Sequence, residues 1–416
     1  MVMIGILFFI FGFVTWLNGS LIPFLKIICE LNELEALLVT FAFYIAYTVM
    51  ALPMSYVLRR SGYINGMAIG LGIMAVGALI FIPAAYSGSF WIFLVALFTL
   101  GTGLTILQTA SNPYVVHIGP KESAAMRISM MGIINKSAGV VAPLLFTSWV
   151  LADMGNFHPD HVSLLEREAL AARLMVPYLV MAVTLIALIA LVKFSALPEL
   201  NLETAHSTTE EHGSILRYPR VVLGAAALFF YVGIEVIAGD TIGLFGTALQ
   251  VPNVTVLTSY TMSFMVLGYL AGIVLIPKYL SQERALLLSA LLGVLFVGGV
   301  LFSSAQSSDI AAVLWGWSGL ALLPDPVTFV ALLGLANALV WPTIWPLALE
   351  GLGKHTAQGS ALLIMGIAGG ALLPLLFGKL AQMGSMQYAY SVGILCYAFI
   401  LFYALKGHKM ARWSQW

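Results

Sequence analysis

The strongest constraint on this chain is a series of long apolar runs separated by short polar turns. A helix rises about 1.5 Å per residue, so each run is long enough to cross about 30 Å of hydrocarbon. With 61% hydrophobic and only 9% charged residues, against about 25% charged residues in soluble domains, the chain cannot hide its apolar surface in a water-soluble core. We therefore predict an all-α membrane protein with twelve transmembrane helices, near residues 3–25, 34–57, 65–86, 90–116, 128–152, 175–197, 220–248, 257–280, 285–303, 326–350, 358–380 and 386–405.

Lys and Arg are distributed unevenly among the connections between these runs. If both chain ends lie in the cytoplasm, the outer connections receive only Lys26, Arg167, Arg173 and Lys379. Cytoplasmic loops of membrane proteins carry the excess of Lys and Arg, so we expect a multi-pass inner-membrane protein with both termini in the cytoplasm. The first run has no basic flank or cleavage site, and it is expected to be a retained span rather than a signal peptide.

The chain contains a weak internal repeat. The residues LFFIFG (7–12) align with LFFYVG (228–233), and in the same register Gly19 falls opposite Asp240. A polar connector between the sixth and seventh runs separates the two copies. The predicted organisation is two pseudo-symmetric six-helix halves at 1–197 and 220–416, joined by a cytoplasmic linker at 198–219.

Two carboxylates, Glu235 and Asp240, lie inside the apolar run 228–246. A charge at the centre of a bilayer helix costs about 2.5–3.5 kcal/mol on the insertion scale, so such residues usually face a cavity and are functional. They are separated by about 140° on a regular helix, and they cannot share one face unless the helix unwinds at Gly239. We expect Asp240 to face the cavity, because the repeat places it opposite Gly19, and Glu235 to pair with a neighbouring helix.

Lys136 is the only basic residue predicted to lie deep within a span. Its side chain either extends to the membrane interface or opposes Glu235 or Asp240 in a buried pair. A buried pair would not exclude function, because it can break when the protein changes conformation. The residues predicted to couple a cation are Asp240, Glu235, Lys136 and Thr241, with Asp240 as the ligand if the cation is Na⁺.

The other polar and aromatic residues within the spans suit a neutral sugar. Amide and hydroxyl groups hydrogen-bond sugar hydroxyls, and aromatic rings stack on the C–H face of the sugar. A lipophilic drug needs few hydrogen bonds, and an organic anion needs several intramembrane Arg or Lys residues. For each residue, hydrogen bonding or packing between helices is the alternative interpretation. The predicted substrate-binding residues are Trp16, Asn18, Tyr44, Gln108, Asn112, Asn135, Asn337, Trp341 and Trp345.

The sequence contains no phosphate-binding glycine loop, nucleophile elbow or zinc protease motif. An ATP-driven pump and a membrane enzyme are therefore not expected, nor is a cofactor. The formal net charge of zero gives no indication of a nucleic-acid partner. The expected partners are a sugar, an ion and the lipid bilayer, and the protein is expected to be monomeric.

Four segments resemble a known family: WLNGSLIPFLK (16–26), GLTILQTASNPYVVHIGP (103–120), INKSAGVVAPLLF (134–146) and VWPTIWPLALEGLG (340–353). They are similar to the fucose–galactose–proton symporter family of the major facilitator superfamily, nearest its bacterial glucose/galactose and N-acetylglucosamine transporter branch. The resemblance spans nearly the whole chain and implies substrate binding near the midplane between two halves. It also implies that Asn18, Asn112, Asn135 and Trp341 occupy the family's polar and aromatic positions.

A fifth segment, PMSYVLRRSGY (53–63), resembles a degenerate facilitator signature. The resemblance implies that Arg59 and Arg60 contact the conformational gate.

Two positions depart from the family pattern. The family usually has Asp where this chain has Gly19, and Glu where it has Gln108. We predict that cation coupling has moved to Asp240, and that the protein imports a hexose with Na⁺ or H⁺. Sodium is favoured, because several oxygen atoms are expected near Asp240 and some relatives are sodium-driven. The alternative is a membrane sugar sensor or uniporter that has lost ion coupling.

Overall fold

The structure is a computed structural model that describes residues 2–117, 124–150, 164–195, 215–276, 279–352, 356–410 and 412–413. Short 3₁₀ segments occur at Ile215–Arg217, Val254–Val256, Gly366–Ala368 and Gly407–Lys409. The α-helices are α1 (Val2–Ile28), α2 (Glu33–Ala36), α3 (Leu38–Val49), α4 (Ala51–Ser61), α5 (Tyr63–Ser87), α6 (Phe90–His117), α7 (Ala124–Val150), α8 (Leu164–Arg173), α9 (Met175–Lys193), α10 (Pro219–Asp240), α11 (Ile242–Ala248), α12 (Leu257–Leu275), α13 (Gln282–Phe302), α14 (Asp309–Trp315), α15 (Asp325–Asn337), α16 (Val340–Leu349), α17 (Thr356–Met365), α18 (Gly369–Met383), α19 (Met386–Ala389) and α20 (Val392–Leu405).

Eleven helical stretches of the described residues are long and apolar enough to cross a membrane. They correspond to eleven of the twelve predicted runs, and the predicted all-α membrane fold is confirmed. The remaining run, 34–57, is interrupted at Leu37 and Met50 and forms α2, α3 and α4, so it is not one of these eleven stretches. Pro53 accounts for the break at Met50, because it cannot donate to the Val49 carbonyl and its ring clashes with that group.

Glycines let the long helices approach each other closely. A Cβ atom at Gly12 on α1 would overlap the backbone of Asn135 on α7. A Cβ atom at Gly369 on α18 would overlap the backbone of Phe229 on α10. The pairs α1–α7 and α10–α18 correspond to each other in the internal repeat, so both halves are held together by the same kind of backbone contact.

Helices α1 and α10 run in the same direction and meet in their C-terminal parts. A Cβ atom at Gly19 on α1 would lie only 2.7 Å from the Gly239 carbonyl oxygen on α10. The end of the chain lies beside the start of α10, where Trp413 donates to the Leu216 carbonyl oxygen at 2.8 Å. We call the face at which α1 and α10 begin the terminal face, and the opposite face the distal face.

Hydrogen bonds between the two halves close the bundle from mid-depth towards the distal face. For example, Ser259 on α12 donates to the Val140 carbonyl oxygen on α7 at 2.7 Å. Two of the bonds involve the predicted coupling residues, which therefore lie in the seam between the halves. The cross-half pairs are Gln382–Asn32, Thr147–Thr255, Ser20–Thr255, Ser259–Val140, Thr40–Asp240 and Lys136–Glu235.

Candidate functional site

The two acids of α10 point to different helices of the first half. The α-helix continues through Gly239 to Asp240 without unwinding, so the carboxylates keep their separation of about 140° around the axis. Glu235 contacts Lys136 on α7, whereas Asp240 contacts Thr40 on α3. The helical spacing of the two acids thus places them at two separate points of the seam.

Glu235 is the acceptor of a buried ion pair. Lys136 Nζ lies 2.7 Å from Glu235 Oε1, and the Tyr231 hydroxyl donates to the same oxygen at 2.8 Å. Lys136 Nζ also lies 4.3 Å from the ring centroid of Trp16, a cation–π distance. The lysine is buried and does not extend to the membrane interface, so two charges compensate each other between the halves at mid-depth.

Aromatic rings extend this ion pair into the second half. The ring centroids of Tyr231 and Trp341 are 6.2 Å apart, and those of Trp341 and Trp345 are 5.5 Å apart. The result is a continuous series of contacts that we call the central chain. It consists of Trp16, Lys136, Glu235, Tyr231, Trp341 and Trp345, and it joins residues predicted for the sugar with residues predicted for the cation.

Asp240 has a different environment. It is 0% exposed, and its Oδ2 accepts a hydrogen bond from Thr40 Oγ1 at 3.0 Å. Its Oδ1 is buried without a hydrogen-bond partner among the described residues. The hydroxyl of Thr241 donates instead to the Ile237 carbonyl oxygen at 2.7 Å and lies 2.8 Å from the Tyr390 hydroxyl. Asp240 therefore has one neutral donor and one free acceptor.

Other predicted residues take part in local contacts. Gln108 donates to the Tyr47 hydroxyl at 3.0 Å, and the ring of Tyr47 stacks on that of Tyr44 with centroids 6.1 Å apart. Asn135 donates to the Phe8 carbonyl oxygen at 3.3 Å, which joins α7 to α1. These three contacts lie within the first half.

Two predicted residues cannot be placed, and one lies at the surface. The side chains of Asn112 and Arg59 are outside the described part of the structure. Arg60 is exposed near the end of α4 and lies over the ring of Tyr56, 4.6 Å from its centroid. The proposed gating role of Arg59 and Arg60 stays a prediction.

Four of the predicted substrate-binding residues have a buried donor group without a hydrogen-bond partner among the described residues. They are Trp16 Nε1, Asn18 Nδ2, Asn337 Nδ2 and Trp345 Nε1. Asn337 illustrates the situation, because its Oδ1 accepts from the Tyr397 hydroxyl at 2.8 Å while its Nδ2 donates to no described group. An unsatisfied buried donor costs about 1–3 kcal/mol, so each of these groups is available to a ligand that offers acceptor oxygens.

Tyr231, Thr40 and Tyr397 are among the residues of these networks that were not predicted from the sequence. Tyr231 precedes Glu235 by one helical turn, and this spacing places the two on the same face of α10. That signal was present in the sequence. Thr40 and Tyr397 lie on other helices than the groups they contact, and no local pattern points to them.

Comparison with known proteins agrees with this architecture. The family model of the Major Facilitator Superfamily matches residues 4–374. The chain is 34% identical over 411 residues to the glucose/galactose transporter of Brucella abortus, which covers 97% of this chain and 93% of that protein. It is 26% identical over 438 residues to the L-fucose-proton symporter of Haemophilus influenzae, covering 99% and 97%. Among solved structures, the transporter FucP in its outward conformation has a TM-score of 0.71 at 22% identity, covering 97% of both chains.

Proposed function

Because the chain belongs to the Major Facilitator Superfamily, we propose that it is a secondary transporter that carries a neutral hexose by alternating access, together with a cation. The relatives at 34% identity are named glucose/galactose transporters, which makes a glucose- or galactose-like sugar the proposed substrate. The relatives are transporters, not enzymes. We further propose that both termini are cytoplasmic, that the protein lies in the inner membrane, and that it acts as a monomer with halves at 1–197 and 220–416.

The unpartnered buried donors carry the sugar proposal. Trp16, Asn18, Asn337 and Trp345 each hold an N–H group in a buried position with no described partner. Sugar hydroxyl oxygens are neutral acceptors that would satisfy such donors without adding a charge to the site. Trp341 and Trp345 are only partly buried, and their rings can stack on the apolar face of the sugar.

The coupling proposal rests on the two cross-half contacts of the acids. In this structure the seam between the halves is closed towards the distal face. The contacts Glu235–Lys136 and Asp240–Thr40 both join the halves there. Opening the seam at the distal face would separate these partners. Both carboxylates would then lack their partner groups, which is costly in a poorly polar interior. A cation arriving from the distal side would remove that cost. It would therefore favour the distal-open state that receives sugar from outside.

We propose the proton as the coupling ion, although the sequence favoured sodium. Hard cations take several oxygen ligands. At Asp240, Oδ2 already accepts from the Thr40 hydroxyl, and the Thr241 hydroxyl donates to the Ile237 carbonyl oxygen, so Oδ1 is left as the free acceptor. One free carboxylate oxygen fits a proton better than a sodium ion. The name of the Haemophilus influenzae relative, a proton symporter, supports the same choice.

The test uses the purified full chain in proteoliposomes and a panel of labelled hexoses, with pH and sodium gradients imposed separately. We expect glucose or galactose to accumulate when the pH is lower on the side of the distal face. Accumulation driven by sodium alone would overturn the choice of ion. Failure to exchange any hexose in counterflow would overturn the transporter assignment in favour of a sugar sensor. Exchange that no gradient drives would indicate a uniporter.

A further inference from the structure

The connector between α13 and α15 carries an unusual amount of exposed apolar surface. It contains no charged residue between Asp309 and Asp325. Its exposed large apolar side chains are Val313, Leu314, Trp317, Leu320 and Leu322, with Val313 81% and Trp317 86% exposed. A connector surrounded by water would not be expected to present such a continuous apolar patch.

The connector lies at the depth of the membrane boundary. Helix α13 has 21 residues and is therefore about 31 Å long, close to the thickness of the hydrocarbon core. Its last residue, Phe302, is exposed at the distal end. From there the connector returns to α12, where the ring of Trp315 lies 5.5 Å from that of Tyr260 and 6.2 Å from that of Phe264. Both partners are within about 10 Å of the start of α12, so α14 lies beside the first turns of a membrane-spanning helix.

The connector is held in one shape by its own hydrogen bonds. Trp315 Nε1 donates to the Ala321 carbonyl oxygen at 3.0 Å. At its base, the Ile310 N–H donates to Asp325 Oδ1 at 2.9 Å, and the Asp325 N–H donates to the Ser307 carbonyl oxygen at 2.8 Å. These bonds fix Trp315 inward, against α12, while Val313 and Trp317 stay outward. The outward apolar face therefore has a fixed shape, set by these hydrogen bonds.

We propose that residues 309–323 form an interfacial anchor whose outward face is immersed in the lipid of the leaflet at the distal face. Short amphipathic segments with Trp and Leu on the apolar side bind at the boundary between headgroups and acyl chains. Helix α12, on which Trp315 packs, also carries exposed apolar side chains, at Leu267 and Leu270. The occupant is therefore lipid hydrocarbon. This proposal depends only on the membrane-spanning fold and not on the proposed sugar or ion.

The anchor is connected to the moving part of the molecule through Trp315. Helix α12, on which Trp315 packs, also carries Ser259, which bonds to α7 across the closed seam. In the proposed transport cycle, on which only this consequence rests, opening of the seam at the distal face moves α12 away from α7. The anchor would move with α12 within the plane of the leaflet, and this would keep α12 at a constant depth in the membrane.

The test is nitroxide labelling of the full chain in phosphatidylcholine–phosphatidylglycerol liposomes. The two native cysteines, Cys29 and Cys396, are replaced by Ala, and single cysteines are introduced as Val313→Cys and Trp317→Cys. Both native side chains are largely exposed, so the substitutions leave the core intact. We expect both labels to collide more with oxygen, which partitions into lipid, than with a water-soluble nickel chelate.

Two matched positions calibrate the measurement. Gln306→Cys lies on the same connector at an exposed polar site and should report water, whereas Leu291→Cys on α13 should report lipid. Labels at 313 and 317 that behave like the label at 306 would overturn the proposal. So would low accessibility to both reagents combined with dipolar broadening that disappears on dilution with unlabelled protein, because that result would mean that a second copy covers the face.

Discussion

Glu235 and Asp240 lie on one helix, and both are buried at the seam between the halves, but their partners differ. Glu235 accepts from the ammonium group of Lys136 at 2.7 Å and from Tyr231 at 2.8 Å. Asp240 accepts from the neutral hydroxyl of Thr40 at 3.0 Å, and its other oxygen has no partner among the described residues. In this closed arrangement one carboxylate has a counter-charge and the other does not.

This difference supports the proposal that the two acids have different roles. Burying an ionised carboxylate without a counter-charge is costly. We propose that Asp240 depends on a cation that binds and leaves, whereas Glu235 joins the halves in the closed state through Lys136.

Replacing Lys136 with Met should have the largest effect, because it leaves Glu235 buried without a counter-charge. We expect the free energy of unfolding to fall by about 3–5 kcal/mol and transport to be lost, as measured by unfolding in detergent and by uptake. The double variant Lys136→Met/Glu235→Gln should recover most of the stability, because neither buried charge is left unpaired. A double variant no more stable than the single one would show that the ion pair does not hold the seam.

Replacing Asp240 with Asn should abolish concentrative uptake while counterflow of labelled sugar continues. The amide keeps the size of the side chain but cannot release a proton. The matched control is Asp325→Asn, a buried carboxylate of the second half outside the seam, which should still accumulate sugar. If Asp240→Asn responds to a pH gradient as the wild type does, coupling belongs to Glu235 instead.

Replacing Thr40 with Val removes the hydroxyl that donates to Asp240 but keeps the shape of the side chain at position 40. The closed state should lose about 0.5–1.5 kcal/mol if Asp240 is neutral, or about 1.5–3 kcal/mol if it is ionised, so the size of the effect reports the charge. The readout is the alkylation rate of Leu37→Cys, a buried position in the seam against Gly378. Thr328→Val, whose hydroxyl bonds within the second half, should leave that rate unchanged.

Replacing Tyr231 with Phe should have the smallest effect. It removes one of the two donors to Glu235 but keeps the ring beside Trp341. We expect a loss of stability of about 1 kcal/mol and an increase in the KM for sugar with little change in kcat. The control is Tyr178→Phe in the first half, where the ring of Tyr178 stacks on that of Phe81. This variant should leave KM unaltered. An equal change of KM in both variants would contradict a specific role for Tyr231.

Much of the architecture could be predicted from the chain. The apolar runs predicted the membrane-spanning helices, and the resemblance of four segments to a facilitator family is confirmed by the family match and by the relatives at 34% identity. The break at Met50 was not predicted, although Pro53 could have indicated it. The partner of Lys136 was left open between Glu235 and Asp240, because both acids lie within reach in sequence terms. The sugar and coupling roles of the individual residues stay predictions.

By itself, the sequence determined which segments must cross the membrane, because a bilayer forces apolar residues into helices of a certain length whatever the details of their packing. It also determined that two acids and a lysine lie within that depth. Which of these charges meet depends on how the helices pack in the folded protein. Residues on separate helices are brought together by interhelical contacts such as those at Gly12 and Gly19, and these contacts gave Glu235 a lysine and Asp240 only a hydroxyl.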